Sequence, residues 1–120
     1  MMKILLVEDD DIVRNFLTDM LQAMDHTVDG STSAEEALRK LPGDYQLIIS
    51  DILLKKMDGL VFLERVNEMH RRVPVVMITG FGGPEVEEIC RNRGAAGFLN
   101  KPFSAFQLKS VVDEMEKISR

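Results

Sequence analysis

The strongest constraint in this sequence is a set of short runs that are apolar nearly throughout, with no alternation between greasy and polar positions. Lys3–Val7, Leu47–Ser50 and Val75–Ile78 are such runs, and Thr27–Ser31 and Gly97–Asn100 are weaker versions. A strand with one wet face alternates, whereas a strand covered on both faces of a parallel sheet does not. Between the runs lie segments of helical period. Ile12, Val13, Phe16, Leu17, Met20, Leu21 and Met24 form one stripe, and Ala34, Ala37, Leu38 and Leu41 a second. Leu60, Leu63 and Val66 mark a third, Val86, Ile89 and Cys90 a fourth, and Leu108, Val111, Val112, Met115 and Ile118 the last. Ser33 is placed to cap the second helix, with Glu36 three residues on as a capping box, and Gly94 to end the fourth.

Five strands alternating with five helices predict an α/β protein. Right-handed crossovers then give a parallel, doubly wound sheet with helices on both faces. Pattern alone leaves several strand orders open. The order 2-1-3-4-5 is favoured because the first, third and fourth runs are the most apolar, hence central. The second run carries Asp29 and Gly30, which suits an edge.

Size and charge narrow the function. A chain of 120 residues with 45% hydrophobic content supports one packed domain spanning residues 1–120. A net charge of −5 gives no bulk attraction to nucleic acid. No apolar run approaches the roughly 20 residues of a membrane span, and Glu8-Asp9-Asp10-Asp11 follows the first run too closely for a signal peptide. A cytoplasmic protein is the default. The single cysteine, Cys90, permits no internal disulfide and reads as a packing residue on a helix face. The methionines read as core filler, and His26 and His70 as surface residues.

The chemistry lies at the strand ends. The first run ends in Glu8 and Asp9, the third in Asp51, the fourth in Thr79 and Gly80, the fifth in Lys101 and Pro102. In a parallel sheet all these ends share one edge, and open α/β sheets bind ligands there, where the strand order reverses. With order 2-1-3-4-5 that point lies between the first and third strands, so Glu8, Asp9 and Asp51 are expected to converge beside Thr79 and Lys101. Three carboxylates at close range need compensation. Lys101 supplies one positive charge, and a hard divalent cation such as Mg²⁺, held by carboxylates and a backbone carbonyl, supplies two. A cation and a lysine around an aspartate suit phosphoryl transfer, in which the aspartate carries the group. Asp10 and Asp11 read as helix caps or surface, and Asp58 as a turn or helix start.

Five motifs occur in order along the chain: Val7-Glu8-Asp9-Asp10, Ser50-Asp51-Ile52, Met57-Asp58-Gly59, Ile78-Thr79-Gly80 and Asn100-Lys101-Pro102-Phe103. In these motifs and their spacing the sequence resembles, over nearly its whole length, the receiver domain of two-component response regulators. The resemblance implies a flavodoxin-like, CheY-like fold. It implies that Asp51 accepts a phosphoryl group from a phosphohistidine on a histidine kinase or histidine phosphotransfer protein. Asp9, Asp51 and the Leu53 carbonyl would bind Mg²⁺, with Glu8 acting through its water shell. Lys101 would pair with Asp51 or its phosphoryl, Thr79 would bond a phosphoryl oxygen, and Phe98 would follow Thr79 inward. The Lys101–Pro102 bond would be cis. The switched surface would be the fourth helix, fifth strand and fifth helix, offered to an output partner or to a phosphorylation-dependent dimer. The domain would be a signalling phosphoacceptor with self-phosphorylation and slow self-dephosphorylation only, not a conventional enzyme.

Three departures from the family bear on these expectations. Lys55, followed by Lys56, stands where the family has proline, which loosens that loop. Gly80-Phe81-Gly82-Gly83-Pro84 is glycine-rich, so the loop is expected to move. Ala95-Ala96-Gly97 replaces the acidic pair of one large transcription-factor subgroup, which removes the basis for that subgroup's dimer contacts. Leu53 and Phe81 flank the phosphoryl in the family arrangement, and neither orients water, so slow loss of phosphoryl is expected. Three readings compete: a flavin carrier, a metal-dependent aspartyl phosphatase and a receiver retained for binding alone. The acidic loop after the first strand repels an uncompensated flavin phosphate. The phosphatase would normally carry its nucleophile after that strand.

Overall fold

The computed structural model describes residues 1–54, 57–69 and 73–118. Lys55, Lys56 and His70 lie outside the described residues. The elements run β1 (Lys3–Val7), α1 (Asp11–Ala23), β2 (Thr27–Ser31), α2 (Ala34–Lys40), β3 (Leu47–Asp51), α3 (Gly59–Met69), β4 (Val75–Thr79), α4 (Pro84–Asn92), β5 (Gly97–Asn100) and α5 (Ala105–Ile118). The five strands pair in parallel in the order β2-β1-β3-β4-β5, as expected. β3 and β4 each run one residue further than the apolar pattern indicates, taking in Asp51 and Thr79 as their last residues.

Side-chain parity splits the core in two. Successive strand residues face opposite ways. Leu5, Val7, Ile48, Val75, Met77 and Phe98 therefore pack with Phe62, Leu63, Val66 and Cys90 on one face. Ile4, Leu6, Leu47, Ile49, Val76, Ile78 and Leu99 pack with Leu17, Leu21, Leu108, Val112 and Met115 on the other. Both faces of β1, β3 and β4 are covered, which is why those runs do not alternate. Phe62 is fully buried, as is Cys90, the packing residue expected.

Helix ends follow their sequence signals closely. The Ser33 hydroxyl accepts from the Glu36 N–H at 3.1 Å. The reciprocal half of the capping box is absent: the Glu36 carboxylate instead accepts from the Thr32 hydroxyl and pairs with Lys40. α4 closes through Gly94 at φ 102°, with Ala95 N–H donating to the Cys90 carbonyl and Gly94 N–H to the Arg91 carbonyl. α1 closes in the same way through Asp25, which takes φ 67° without being glycine.

That turn overturns one expectation. His26 is 6% exposed, and its Nδ1 accepts from the Met2 N–H at 3.0 Å. The left-handed Asp25 swings His26 beneath the start of β1. The stripe on α1 is also narrower than its spacing suggests. Leu17 and Leu21 are buried, but Ile12 and Phe16 are 81% and 58% exposed. Phe16 instead edges a groove of about 210 Å³ with Val13, Leu17, Lys101, Pro102 and Phe103. Ile89 and Ile118 are likewise exposed. Of the methionines, Met2, Met77 and Met115 are core filler, while Met1 and Met69 face solvent.

Candidate functional site

The register places the strand ends side by side. Val7 pairs with Ser50 of β3, Asp51 with Ile78 of β4, and Thr79 with Asn100 of β5. The chain leaving β1, β3, β4 and β5 therefore delivers Glu8, Asp51, Thr79 and Lys101 to one edge. The edge has its own backbone seams: Ile52 N–H donates to the Ile78 carbonyl and Lys101 N–H to the Thr79 carbonyl at 2.8 Å.

Lys101 draws the site together. Its ammonium donates to Asp51 Oδ2 at 2.8 Å and to Glu8 Oε1 at 3.2 Å. The three side chains are 27%, 11% and 4% exposed, so the charges sit where water screens them weakly. Burial pushes the Glu8 carboxyl above its ordinary value, assisted by the nearby Asp51 charge and opposed by the Asp10 N–H and Lys101. Burial alone would lower the Lys101 ammonium, but the hydrogen bond and charge of Asp51, with Glu8 behind them, hold it above the ordinary lysine value. Asp51 Oδ1 accepts from the Leu53 N–H at 3.0 Å.

The expectation of three converging carboxylates holds only in part. Glu8 Oε1 is taken by Lys101, and Oε2 accepts from the Asp10 N–H at 3.2 Å. Glu8 is thus turned into the protein and 3% exposed. Among the described residues, no group of three His, Cys, Asp or Glu side chains is spaced to hold a metal ion by itself. Asp9 is partly exposed, and among the described residues no donor satisfies its carboxylate. Asp51 keeps lone pairs beyond its two hydrogen bonds. Two carboxylates, completed by a carbonyl and by water, are the kind of donor set that suits Mg²⁺, which keeps much of its hydration and binds few protein groups. The donor chemistry fits the ion.

Neighbouring acids have ordinary jobs. Asp10 caps α1, its carboxylate accepting from the Ile12 and Val13 N–H groups. Asp11 pairs with Arg14. Asp58 Oδ1 accepts from the Leu60 N–H, opening α3. Thr79 is 1% exposed, and its hydroxyl accepts from the Phe81 N–H at 3.0 Å, which leaves its own O–H free to donate. Phe98 is inward in this structure, 8% exposed within the core below Thr79. The Lys101–Pro102 peptide is cis.

Two glycines beside the site, one in Met57-Asp58-Gly59 and one in the glycine-rich loop after β4, sit closer to their neighbours than the sequence alone specifies. Gly59 is buried with its N–H on the Ile52 carbonyl at 2.7 Å. A β carbon there would stand 2.4 Å from the Asp51 carbonyl oxygen and 2.6 Å from Ile52 Cα. At Gly82 a β carbon would fall 1.3 Å from Asn100 Oδ1, so a side chain there would have to displace the Asn100 amide.

Comparisons with known proteins bear on the fold and on the family. The family model for the response regulator receiver domain matches residues 4–113. The response regulator receiver protein CpdR of Brucella abortus is 33% identical over 121 residues, covering 98% of this chain and 97% of that protein. The response regulator protein FleR of Pseudomonas aeruginosa is 36% identical over 111 residues, covering 92% of this chain. The chain spans only 24% of FleR, and 12% of the Brucella abortus sensor kinase CckA, to which it is 33% identical. Among solved structures, a Francisella response regulator receiver domain superposes with a TM-score of 0.94 at 21% identity, each chain fully covered. NtrX from Brucella abortus does so at 0.91 and 31% identity, over 98% of this chain and 27% of NtrX.

Proposed function

This chain belongs to the response regulator receiver domain family, and on that footing we propose that Asp51 is its phosphoacceptor. The observation that carries the reading is the Lys101 ammonium bonded to both Asp51 and Glu8 at the carboxyl edge of the sheet. In the proposed step an Asp51 carboxylate oxygen attacks the phosphorus of a phosphohistidine. The P–N bond breaks, the imidazole leaves and takes up a proton, and an acyl phosphate remains on Asp51. Asp9, Asp51 and the Leu53 carbonyl would hold Mg²⁺, with Glu8 reached through its water, and the ion would neutralise charge on the phosphoryl oxygens. Lys101 follows the charge from carboxylate to phosphoryl. The donor would come from a histidine kinase or histidine phosphotransfer protein. The exposed apolar groove around Phe16 and Phe103 adjoins Lys101 and offers a face on this edge for it.

A new dianion on Asp51 rewards any arrangement in which the Thr79 hydroxyl donates to it. Because the same hydroxyl accepts the Phe81 N–H, any turn of the Thr79 side chain toward the phosphoryl is passed to the Gly80–Pro84 loop. That loop is lightly held at α4: Gly83 sits at φ 142° and caps the helix with no side-chain bond. The consequence is a population shift of α4, β5 and α5, with Phe98 as the core residue coupled to Thr79, presented to an output partner or a second copy. The phosphoryl is long-lived in this reading, because the rim residues Leu53 and Phe81 are exposed and apolar and orient no attacking water.

The test is labelling with a small phosphodonor. Mg²⁺-dependent label on the wild type, abolished in Asp51→Asn, is the expected result. Absence of label in the wild type would reject the phosphoacceptor, and label persisting in Asp51→Asn would move it to another residue. A receiver retained for binding alone would give no label.

A further inference from the structure

Arg14 stands in the first turns of α1, yet its side chain is only 17% exposed. One guanidinium nitrogen donates to the Glu8 backbone carbonyl at 2.9 Å, and the other to the Asp11 carboxylate. The stem lies flat across the edge strand at Gly30, where a β carbon would come 3.2 Å from Arg14 Cδ. Gly30 thus leaves the space that the Arg14 stem occupies, and a side chain there would press on it.

The carbonyl that Arg14 holds belongs to the peptide joining Glu8 to Asp9. Upstream, Glu8 N–H is fixed on the Ser31 carbonyl at 3.1 Å. Downstream, Asp10 is fixed as the cap of α1. The peptide between them carries Asp9, whose carboxylate has no donor of its own among the described residues. Among the described residues, its direction is therefore set by its backbone. A planar peptide held at its oxygen fixes where the next Cα lies, and with Asp10 held as the helix cap on the far side it limits the directions in which the Asp9 side chain can leave.

We propose that Arg14 is a positioning residue for the cation site: by holding the Glu8–Asp9 peptide it aims the Asp9 carboxylate at the position of the metal, and Gly30 is the complement that admits it. This inference rests on the reading that Asp9 and Asp51 bind Mg²⁺. Its sign separates it from simple electrostatics. Removing a cation near an acidic site strengthens the binding of another cation by Coulomb's law, whereas removing a support for a ligand weakens it.

The experiment is a calorimetric titration with Mg²⁺ alone, which needs no phosphodonor and no turnover. Arg14→Met keeps the stem and removes both donors; Mg²⁺ affinity falls about tenfold, as for groups that orient metal ligands. Arg14→Lys keeps one donor and restores part of the loss. Gly30→Val leaves Arg14 in the chain but unseats it, and as a β-branched residue in a strand it does not weaken the fold by propensity. It weakens Mg²⁺ binding to a similar extent, and it adds nothing in an Arg14→Ala background. Melting curves in chelator confirm that each variant is folded. If the wild type binds no Mg²⁺, the metal site itself is wrong and the inference goes with it. If the wild type binds and the folded Arg14→Met and Gly30→Val variants bind as tightly or more tightly, the metal site stands and the positioning role is overturned.

Discussion

Replacing Gly59 by alanine sets two effects of opposite sign against each other. Alanine favours a helix over glycine by up to about 1 kcal/mol in a helix interior, and by less in the first turn where Gly59 sits. Against that, its β carbon would meet the Asp51 carbonyl oxygen at 2.4 Å, Ile52 Cα at 2.6 Å and the Ile52 carbonyl oxygen at 2.7 Å. All three are backbone atoms, so no rotamer change relieves the overlap. Overpacking costs about 1–3 kcal/mol where side chains can give way, and here the upper end applies. The expected balance is a loss of about 2 kcal/mol, well inside the roughly 5–15 kcal/mol of a small domain, so the variant folds. Tm falls by about 6–10 °C, interpolating for this chain length. The displaced atoms include the backbone of the proposed phosphoacceptor, and a misplacement approaching 1 Å costs up to about 100-fold in rate. Urea unfolding followed by circular dichroism measures the first quantity, and the initial rate of labelling measures the second. An alanine variant as stable as the wild type and labelled at its rate would show that the loop after β3 yields freely, and the reasoning would fail.

Three further outcomes follow from the geometry. Leu53→Asn combined with Phe81→Glu shortens the half-life of phospho-Asp51 by placing polar groups at an apolar rim; an unchanged half-life after chase would sink the idea that these side chains exclude water. Lys101→Met leaves Asp51 and Glu8 facing one another without a cation and costs about 2 kcal/mol, less than the 3–5 of a fully buried pair because Lys101 is 27% exposed. Mg²⁺ then stabilises this variant more than it does the wild type in thermal melts, and a smaller stabilisation would refute the account. Tyr45, the one tyrosine in a chain without tryptophan, is pushed up to about 12 by burial and by its hydrogen bond to Asp29. A raised folded value means that its contribution to stability is complete below the unfolded value of 10.0 and is lost as pH rises through about 12. The tyrosinate absorbance of the folded protein should therefore titrate about 2 units above that of the urea-unfolded chain, and coincident curves would contradict the Tyr45–Asp29 contact.

The sequence by itself determined the sheet, because burial on two faces leaves a mark that needs no partner to be identified. Ile4, Leu5 and Leu6 are apolar in succession since neither parity faces water. The edge position of β2 was legible in Asp29 and Gly30, and the end of α4 in Gly94. The site was legible to the extent that parallel topology converts strand ends into neighbours, which brings Glu8, Asp51, Thr79 and Lys101 to one edge from four separate stretches of chain.

Only the tertiary structure decided what depends on pairs of distant residues. Periodicity counts Ile12 and Phe16 with the core stripe of α1, but among the described residues no segment covers that side of the helix fully, and both remain exposed. His26 carries no local sign of burial; the left-handed Asp25 puts it there. Glu8 and Asp9 are adjacent acids in the sequence, yet Lys101 and the Asp10 N–H turn Glu8 inward while Asp9 is left without a donor among the described residues. The contact between Arg14 and Gly30 joins α1 to β2 across sixteen residues and leaves no mark on either stretch of chain. Local propensity and burial are properties a residue shares with its near neighbours in sequence, so they can be read from the chain. A side chain's contacts depend on which other segment arrives opposite it, and that is set when the sheet closes and the helices dock.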